Sequence, residues 1–279
     1  GGRQPGPAPR SRPRPAGLTG VPPVDDVLER VRSGLDRAAI FTDFDGTLST
    51  LVDHPGDAVL VDGAEPVVRR LAEDAGLFAV VSGRPISYLE RRLPEGPVLS
   101  GLYGLEALRN GERDDHPQAG AWREVVTDVR ATSEGLGPEG MLVESKGLSL
   151  TLHYRAEPGL AMAVQDWAQR QADRSGLVIR PAKMSVELHP PLTTDKGTVV
   201  LDLVEEFDPV VFIGDDRGDL PAFEALADLA TRGRTILRIA VASREAPREI
   251  LDQADLVVDD PYATLGLLRG FLGQDTSAS

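Results

Sequence analysis

Two aspartates, Asp43 and Asp45, stand two positions apart where the apolar run Ala38-Ala39-Ile40-Phe41-Thr42 ends, and Gly46-Thr47 follow them. The pattern predicts a strand that runs out at Thr42 and a sharp turn at Gly46. A carboxylate at the end of a parallel strand sits where open sheets hold their ligands, and aspartate is an accepted nucleophile toward phosphorus. The competing reading is a strand with an ordinary Asp-Gly turn, a common loop pair; D-x-D-G-T behind an apolar run favours chemistry over that turn. A second candidate is Ser82-Gly83-Arg84, behind Val80-Val81 and ahead of Pro85, which opens a predicted helix whose N–H groups can meet an anion. A plain strand-to-helix turn accounts for it almost as well.

Lys196 falls in the first turn of a predicted helix, where a cation is disfavoured, and that local violation hints at a role beyond the helix. Alone, it reads as a surface lysine. Asp215, Asp216 and Asp219 crowd together directly behind Val211-Phe212-Ile213-Gly214. Like charges at close range raise one another's pKa, so the crowding calls for a cation. With no cysteine in the chain, oxygen ligands favour Mg²⁺. Asp219 is equally well placed to cap the next helix.

The elements that must position these residues alternate short apolar runs with amphipathic helices, which predicts a Rossmann-like, mostly parallel α/β sheet covered on both faces. Strands are expected at Ala38–Thr42, Leu77–Val81, Val98–Gly101, Val210–Ile213, Ile236–Val241 and Leu256–Val258. One helix is expected at Asp195–Phe207, capped by Thr194. Between 106 and 188 the order becomes helix, two strands, helix, two strands: Trp122–Ser133, Met141–Glu144, Leu148–His153, Leu160–Asp173, Leu177–Arg180 and Met184–Leu188. That order suits an inserted α+β domain. The expected division is a disordered tail at 1–22, a core at 23–105 and 189–279, and the insertion at 106–188, with a substrate cleft between the two units.

The formal charge of −14 argues against a nucleic-acid partner, and no apolar run reaches the ~20 residues of a membrane helix. The chain is read as soluble and cytoplasmic, with no membrane partner; its oligomeric state is not fixed by sequence, and a monomer is compatible with it. His54, His116, His153 and His189 show no metal-ligand spacing.

Taken in order, D-x-D-G-T, a strand ending in Ser82, Lys196 after an insertion and G-D-D-x-x-D resemble the four motifs of the haloacid dehalogenase-like phosphatase superfamily. The resemblance implies Asp43 as nucleophile, Asp45 as general acid and base, and Ser82 with Gly83 and Lys196 at the phosphate. It further implies Mg²⁺ on Asp43, Asp45 (through its main-chain oxygen) and Asp215, and a cap domain for the insertion. A narrower set is similar to trehalose-6-phosphate phosphatases: Gly101-Leu102-Tyr103-Gly104-Leu105-Glu106, Glu144-Ser145-Lys146-Gly147, Val186-Glu187-Leu188-His189-Pro190 and Asp195-Lys196-Gly197. It implies hydrolysis of trehalose 6-phosphate to trehalose and inorganic phosphate through an aspartyl-phosphate, with the sugar hydroxyls meeting Glu144, Lys146 and Glu187. That family often has His where this chain has Tyr103. Without the resemblance, Glu144 and Lys146 read as a surface pair. Sucrose 6-phosphate, mannosyl-3-phosphoglycerate, and a non-catalytic module that binds a sugar phosphate to regulate a partner remain alternatives.

Overall fold

The structure, a computed structural model, describes residues 10–11, 22–52, 55–182, 184–204, 206–243 and 246–274. Its strands, in chain order, are β1 (Arg10–Ser11), β2 (Ala39–Thr42), β3 (Leu77–Val81), β4 (Val98–Gly101), β5 (Glu106–Arg109), β6 (Glu112–Arg113), β7 (Leu142–Ser145), β8 (Leu150–His153), β9 (Val178–Ala182), β10 (Ser185–His189), β11 (Val210–Gly214), β12 (Ile236–Val241) and β13 (Leu256–Val258). The helices are α1 (Val24–Ser33), α2 (Ala64–Asp74), α3 (Ile86–Leu89), α4 (Ala119–Leu136), α5 (Ala161–Ser175), α6 (Lys196–Leu203), α7 (Leu220–Thr231), α8 (Arg248–Gln253) and α9 (Pro261–Phe271). Among the described residues, no helix is long and apolar enough to cross a membrane.

The chain divides into two compact units, Gly1–Asp114 with Thr194–Ser279, and Asp115–Thr193. The larger holds a nine-stranded sheet in the order β1-β13-β12-β11-β2-β3-β4-β5-β6. From β13 to β4 every neighbouring pair is parallel. Such strands are buried on both faces and so read as continuous apolar runs, which is why they stand out in the sequence. Alternate residues divide between two cores. Ile40, Val80, Val211 and Ile213 pack on one face with Val27, Val31, Val68, Leu71 and Leu268 from α1, α2 and α9. Phe41, Ala79, Val81 and Phe212 pack on the other with Val199, Val200, Phe223 and Leu226 from α6 and α7.

Three expectations need correction. Residues 106–114 lie in the larger unit, because β5 and β6 form a hairpin that extends the sheet antiparallel from β4; residues 189–193 lie in the smaller one. Within the segment expected to stay outside the fold, Arg10–Ser11 pairs antiparallel with β13. Helix α6 is capped by Asp195 rather than Thr194, in a reciprocal capping box with Thr198, and ends at Leu203 rather than Phe207.

The smaller unit is an antiparallel sheet in the order β7-β8-β10-β9. Its core joins Leu150, Leu152, Val186 and Leu188 of the sheet to Val126 and Val129 of α4 and Val164 and Ala168 of α5. The opposite face of β8 and β10 carries Thr151, His153, Ser185 and Glu187.

A buried ion pair ties β12 to the start of β13. The Arg238 side chain donates to both oxygens of Asp255 at 3.0 and 3.1 Å, and its main-chain N–H donates to Oδ2 at 2.9 Å. Both residues are buried. Replacing one partner strands the other charge in a dry interior, so Arg238→Met should lower stability by about 3–5 kcal/mol. Denaturant unfolding measures this, and an unchanged midpoint would show the pair to be dispensable.

Candidate active site

In the larger unit the chain lays β3 and β4 on one side of β2 and later returns to lay β11 and β12 on the other. This reversal makes a topological switch point, where an open α/β sheet binds its ligand beyond the carboxyl ends of the strands. Register places three loops there together. Thr42 pairs with Val80 of β3 and with Ile213 of β11, so Asp43, Ser82 and Asp215 emerge side by side. Gly46 has φ +73°, and a β-carbon on it would lie 2.2 Å from Asp215 Oδ2. Only glycine lets the turn after Asp45 approach the acidic loop this closely.

The centre of the site is a buried ammonium. Lys196 Nζ lies 2.9 Å from Asp43 Oδ1 and 2.6 Å from Asp219 Oδ1, and all three side chains are nearly or wholly withdrawn from solvent. That explains a lysine in the first turn of α6: two carboxylates, not the helix, set its environment. Asp219 Oδ2 accepts the N–H groups of Asp215 at 2.9 Å and of Asp216 at 3.1 Å. Asp219 therefore holds both the lysine and the acidic loop. The expected alternative, a cap for α7, is not its role, since its side chain makes no capping bond to that helix.

Asp45 stands apart from this triad. Both its oxygens are taken by Arg84, with Nε at 2.7 Å from Oδ2 and Nη2 at 2.8 Å from Oδ1. Arg84 belongs to the Ser82-Gly83-Arg84 loop, and the sequence names it without revealing a partner 39 residues away. Ser82 is buried and its Oγ accepts the Arg84 N–H at 3.2 Å. The anion-binding reading of the helix after Pro85 needs correction: α3 is a single turn, and the Ile86 N–H already donates to Glu106 Oε2 at 2.9 Å.

Burial governs the electrostatics. It raises the Asp43 carboxyl well above its usual range, which Lys196 opposes and the charges of Asp219, Asp216 and Asp215 reinforce. Asp215 is pushed up to about 8 by burial and then by Asp219 and Asp216. Asp219 is pushed up to about 6 by burial, with Lys196 opposing. For Lys196 burial works the other way, but the carboxylates of Asp219, Asp43 and Asp216 outweigh it and hold the ammonium well above its ordinary value. One lysine thus offsets several acids, and the surplus negative charge fits a divalent cation held by oxygen. Among the described residues, carboxylate oxygens of Asp43, Asp216 and Asp219 come within 4.8 Å of one another. Of the expected ligands, the Asp215 carboxylate is not in that group; Asp45 is expected through its main-chain oxygen, which a grouping of carboxylates does not address.

The smaller unit brings its expected residues together by register. Glu144 of β7 and Glu187 of β10 both lie directly across from Thr151 of β8, on the face away from the helices. Ser149 Oγ donates to Glu187 Oε1 at 2.7 Å, and His153 Nε2 lies 2.8 Å from Glu144 Oε2. Thr151 Oγ1 between them is buried with no hydrogen-bond partner. Lys146 follows β7 and donates its main-chain N–H to Ser149 O at 2.9 Å. His189 Nδ1 lies 2.9 Å from Pro190 O, and His116 Nδ1 accepts the Gln118 N–H, so these histidines serve local packing; His54 lies outside the described residues.

Residues 41–253 match the family model described as Trehalose-phosphatase. The chain is 32% identical over 211 residues to a trehalose-phosphate phosphatase of Mycobacterium avium, a match covering 71% of this chain and 54% of that one. It is 32% identical over 217 residues to an uncharacterized glycosyl hydrolase of Mycobacterium tuberculosis, covering 71% of this chain and 16% of that protein. The chain thus spans about half the length of the phosphatase relative and a small part of the hydrolase. Among solved structures, the C-terminal domain of the trehalose-6-phosphate phosphatase of C. albicans shares the fold with a TM-score of 0.68 at 22% identity, over 91% of this chain and 99% of that one. With its motif residues gathered at one switch point and the family model covering most of its length, the chain belongs to the trehalose-phosphatase family.

Proposed function

We propose that the chain hydrolyses trehalose 6-phosphate to trehalose and inorganic phosphate by way of a phosphoryl group carried on Asp43. The observation that carries this reading is the buried Asp43 carboxylate held 2.9 Å from the Lys196 ammonium at the switch point. The ammonium opposes the burial that raises the Asp43 carboxyl.

Asp43 attacks phosphorus in line, so that its bond to phosphorus forms as the bond to the sugar oxygen breaks, and Asp45 delivers a proton to that oxygen. Asp45 then takes a proton from water, the water oxygen attacks phosphorus, and inorganic phosphate leaves with Asp43 regenerated. For the first step Asp45 must leave Arg84, and the incoming phosphate dianion offers the guanidinium an alternative bidentate partner. Lys196 and the loop of Ser82 and Gly83 meet the charge on the equatorial oxygens.

Mg²⁺ would be held by Asp43, the main-chain oxygen of Asp45 and Asp215. Asp219 is left out because Lys196 and the N–H groups of Asp215 and Asp216 occupy both its oxygens. When bound, the ion supplies positive charge to the phosphoryl oxygens. Glu144, Lys146 and Glu187 bind the sugar hydroxyls by charge-assisted hydrogen bonds. Their support is the shared polar face of the smaller unit and the two bonds, from Ser149 and His153, that orient the carboxylates.

Asp43→Asn should leave the fold intact and reduce kcat by on the order of 10⁴-fold or more; substantial phosphate release from that variant would remove Asp43 from the mechanism. In a phosphate-release panel, trehalose 6-phosphate should exceed glucose 6-phosphate, sucrose 6-phosphate and mannosyl-3-phosphoglycerate in kcat/KM. Equal turnover of trehalose 6-phosphate and glucose 6-phosphate would sink the sugar assignment, and binding without release would leave a regulatory module. Folded Asp215 keeps its proton up to about pH 8, whereas an unfolded aspartate releases it near pH ~4. Between those values the folded state binds more protons, so the metal-free chain should lose stability as pH rises. Melting from about pH 5 to about pH 8, with chelator and with Mg²⁺, should show a stabilisation by Mg²⁺ that grows with pH; a pH-independent increment would contradict this account.

A further inference from the structure

The turn Leu102-Tyr103-Gly104 carries φ values of 49°, 58° and 99°. Two residues with side chains therefore stand in succession in the left-handed region, which glycine occupies freely and other residues avoid. Such backbone persists only where its surroundings over-determine it, and it clusters at working sites. Here the surroundings are the site's own loops. The Leu102 N–H donates to Arg84 O at 3.0 Å and the Tyr103 N–H to Ser82 O at 3.1 Å. On the far side of the turn, a β-carbon at Gly104 would lie 2.8 Å from Val199 Cγ2 and 3.4 Å from Thr194 Cβ, so the turn also rests against the start of the lysine helix.

The phenol is where the strained turn is aimed. A β-carbon at Gly83 would lie 2.7 Å from both Cζ and the hydroxyl oxygen of Tyr103, and one at Gly218 would lie 3.5 Å from Tyr103 Cε1. The ring thus lies flush against the Ser82-Gly83 loop with an edge toward the acidic loop. Gly83 is outside the positive-φ glycines, so its own backbone would accept an alanine. What bars one is the ring.

We infer that Tyr103 is a positioning residue for the phosphoryl group: its ring sets the Ser82-Gly83 loop against the acidic loop, and Gly83 lacks a side chain in order to receive it. This rests on the phosphatase reading. It assigns the ring to the phosphoryl end of the substrate rather than the sugar, because both loops it touches belong to the phosphoryl site.

The test is a double-mutant cycle at Gly83 and Tyr103, assayed with Mg²⁺ on trehalose 6-phosphate and on p-nitrophenyl phosphate, which has no sugar. Gly83→Ala should displace the ring and cut kcat roughly 10–100-fold on both esters, the usual consequence of ångström-scale misplacement. Tyr103→Gly should cut kcat on both esters by a similar factor without lowering Tm, since glycine adopts φ 58° without strain. In the Tyr103→Gly background, Gly83→Ala should cost less than about twofold, because the two residues act as a coupled pair. The inference fails if Gly83→Ala costs the same factor with and without the ring, or if Tyr103→Gly works at the wild-type rate. It fails too if the loss is confined to the sugar ester, which would give the ring to the leaving group, or if Tm falls in step with kcat, which would mark a merely structural role. A wild-type chain inert toward both esters would overturn the phosphatase reading and this inference together.

Discussion

The site depends on one buried ammonium. Asp43 and Asp219 are withdrawn from water on either side of Lys196 Nζ, and an isolated carboxylate in that position would simply take up a proton. A protonated Asp43 could not serve as the proposed nucleophile. The charge of the lysine opposes that uptake, while burial still holds the Asp43 carboxyl well above its ordinary range. The cost is a tight coupling of groups. Asp219 holds the lysine with one oxygen and the loop of Asp215 and Asp216 with the other, so a single residue fixes the cation and the acidic loop relative to each other. On a chain of formal charge −14, the proposed anionic substrate would meet a repulsive general field, and local cations must reverse it. Lys196, Arg84 and the proposed Mg²⁺ are those cations.

That centre exists because of strand order. No two of its main residues are near in sequence: Asp43, Ser82, Lys196 and Asp219 come from four separate segments. The reversal of strand order at β2 brings three of those loops to one edge, and α6 packs against α7 to deliver the fourth. Close approach then demands missing side chains. Gly46 makes room for the Asp215 carboxylate and Gly83 for the Tyr103 ring, so the small residues inside the motifs record contacts between loops rather than loop flexibility.

The strands that hold the site were legible in the sequence because burial on both faces writes them as unbroken apolar runs, and β2, β3, β4, β11, β12 and β13 fall at or within a residue of where those runs predict. The hairpin of β5 and β6 was not legible. Glu106–Arg109 and Glu112–Arg113 are short and charged, and they join the sheet only because β4 offers an unpaired edge, so the boundary of the insertion was placed at 106 instead of 115. The carboxylates and the lysine were found by type and spacing, but their partners were not. Nothing in a linear reading pairs Asp45 with Arg84 or Asp219 with Lys196, and an aspartate just ahead of a helix looks like a cap until its oxygens are seen elsewhere. Arg238 makes the same point within a strand: a charge in an apolar run is tolerated because Asp255, across the sheet, meets it with both oxygens.

The smaller unit uses register in place of charge. In the run Leu148-Ser149-Leu150-Thr151-Leu152-His153 the leucines alternate with polar residues, and Leu148, Leu150 and Leu152 are buried. Leu150 and Leu152 fix which face meets α4 and α5. The other face then has no freedom: Ser149 must reach Glu187, His153 must reach Glu144, and Thr151 must stand between the two carboxylates. A slip of one residue would carry all of these to the helix side and bury charge in the core, so the hydrophobic pattern that folds the unit also aligns its polar row. Division of labour follows from this contrast. The larger unit holds charges together against repulsion, as the proposed phosphoryl chemistry requires. The smaller unit presents oriented hydrogen-bonding groups along a strand face, which the proposed recognition of sugar hydroxyls would use.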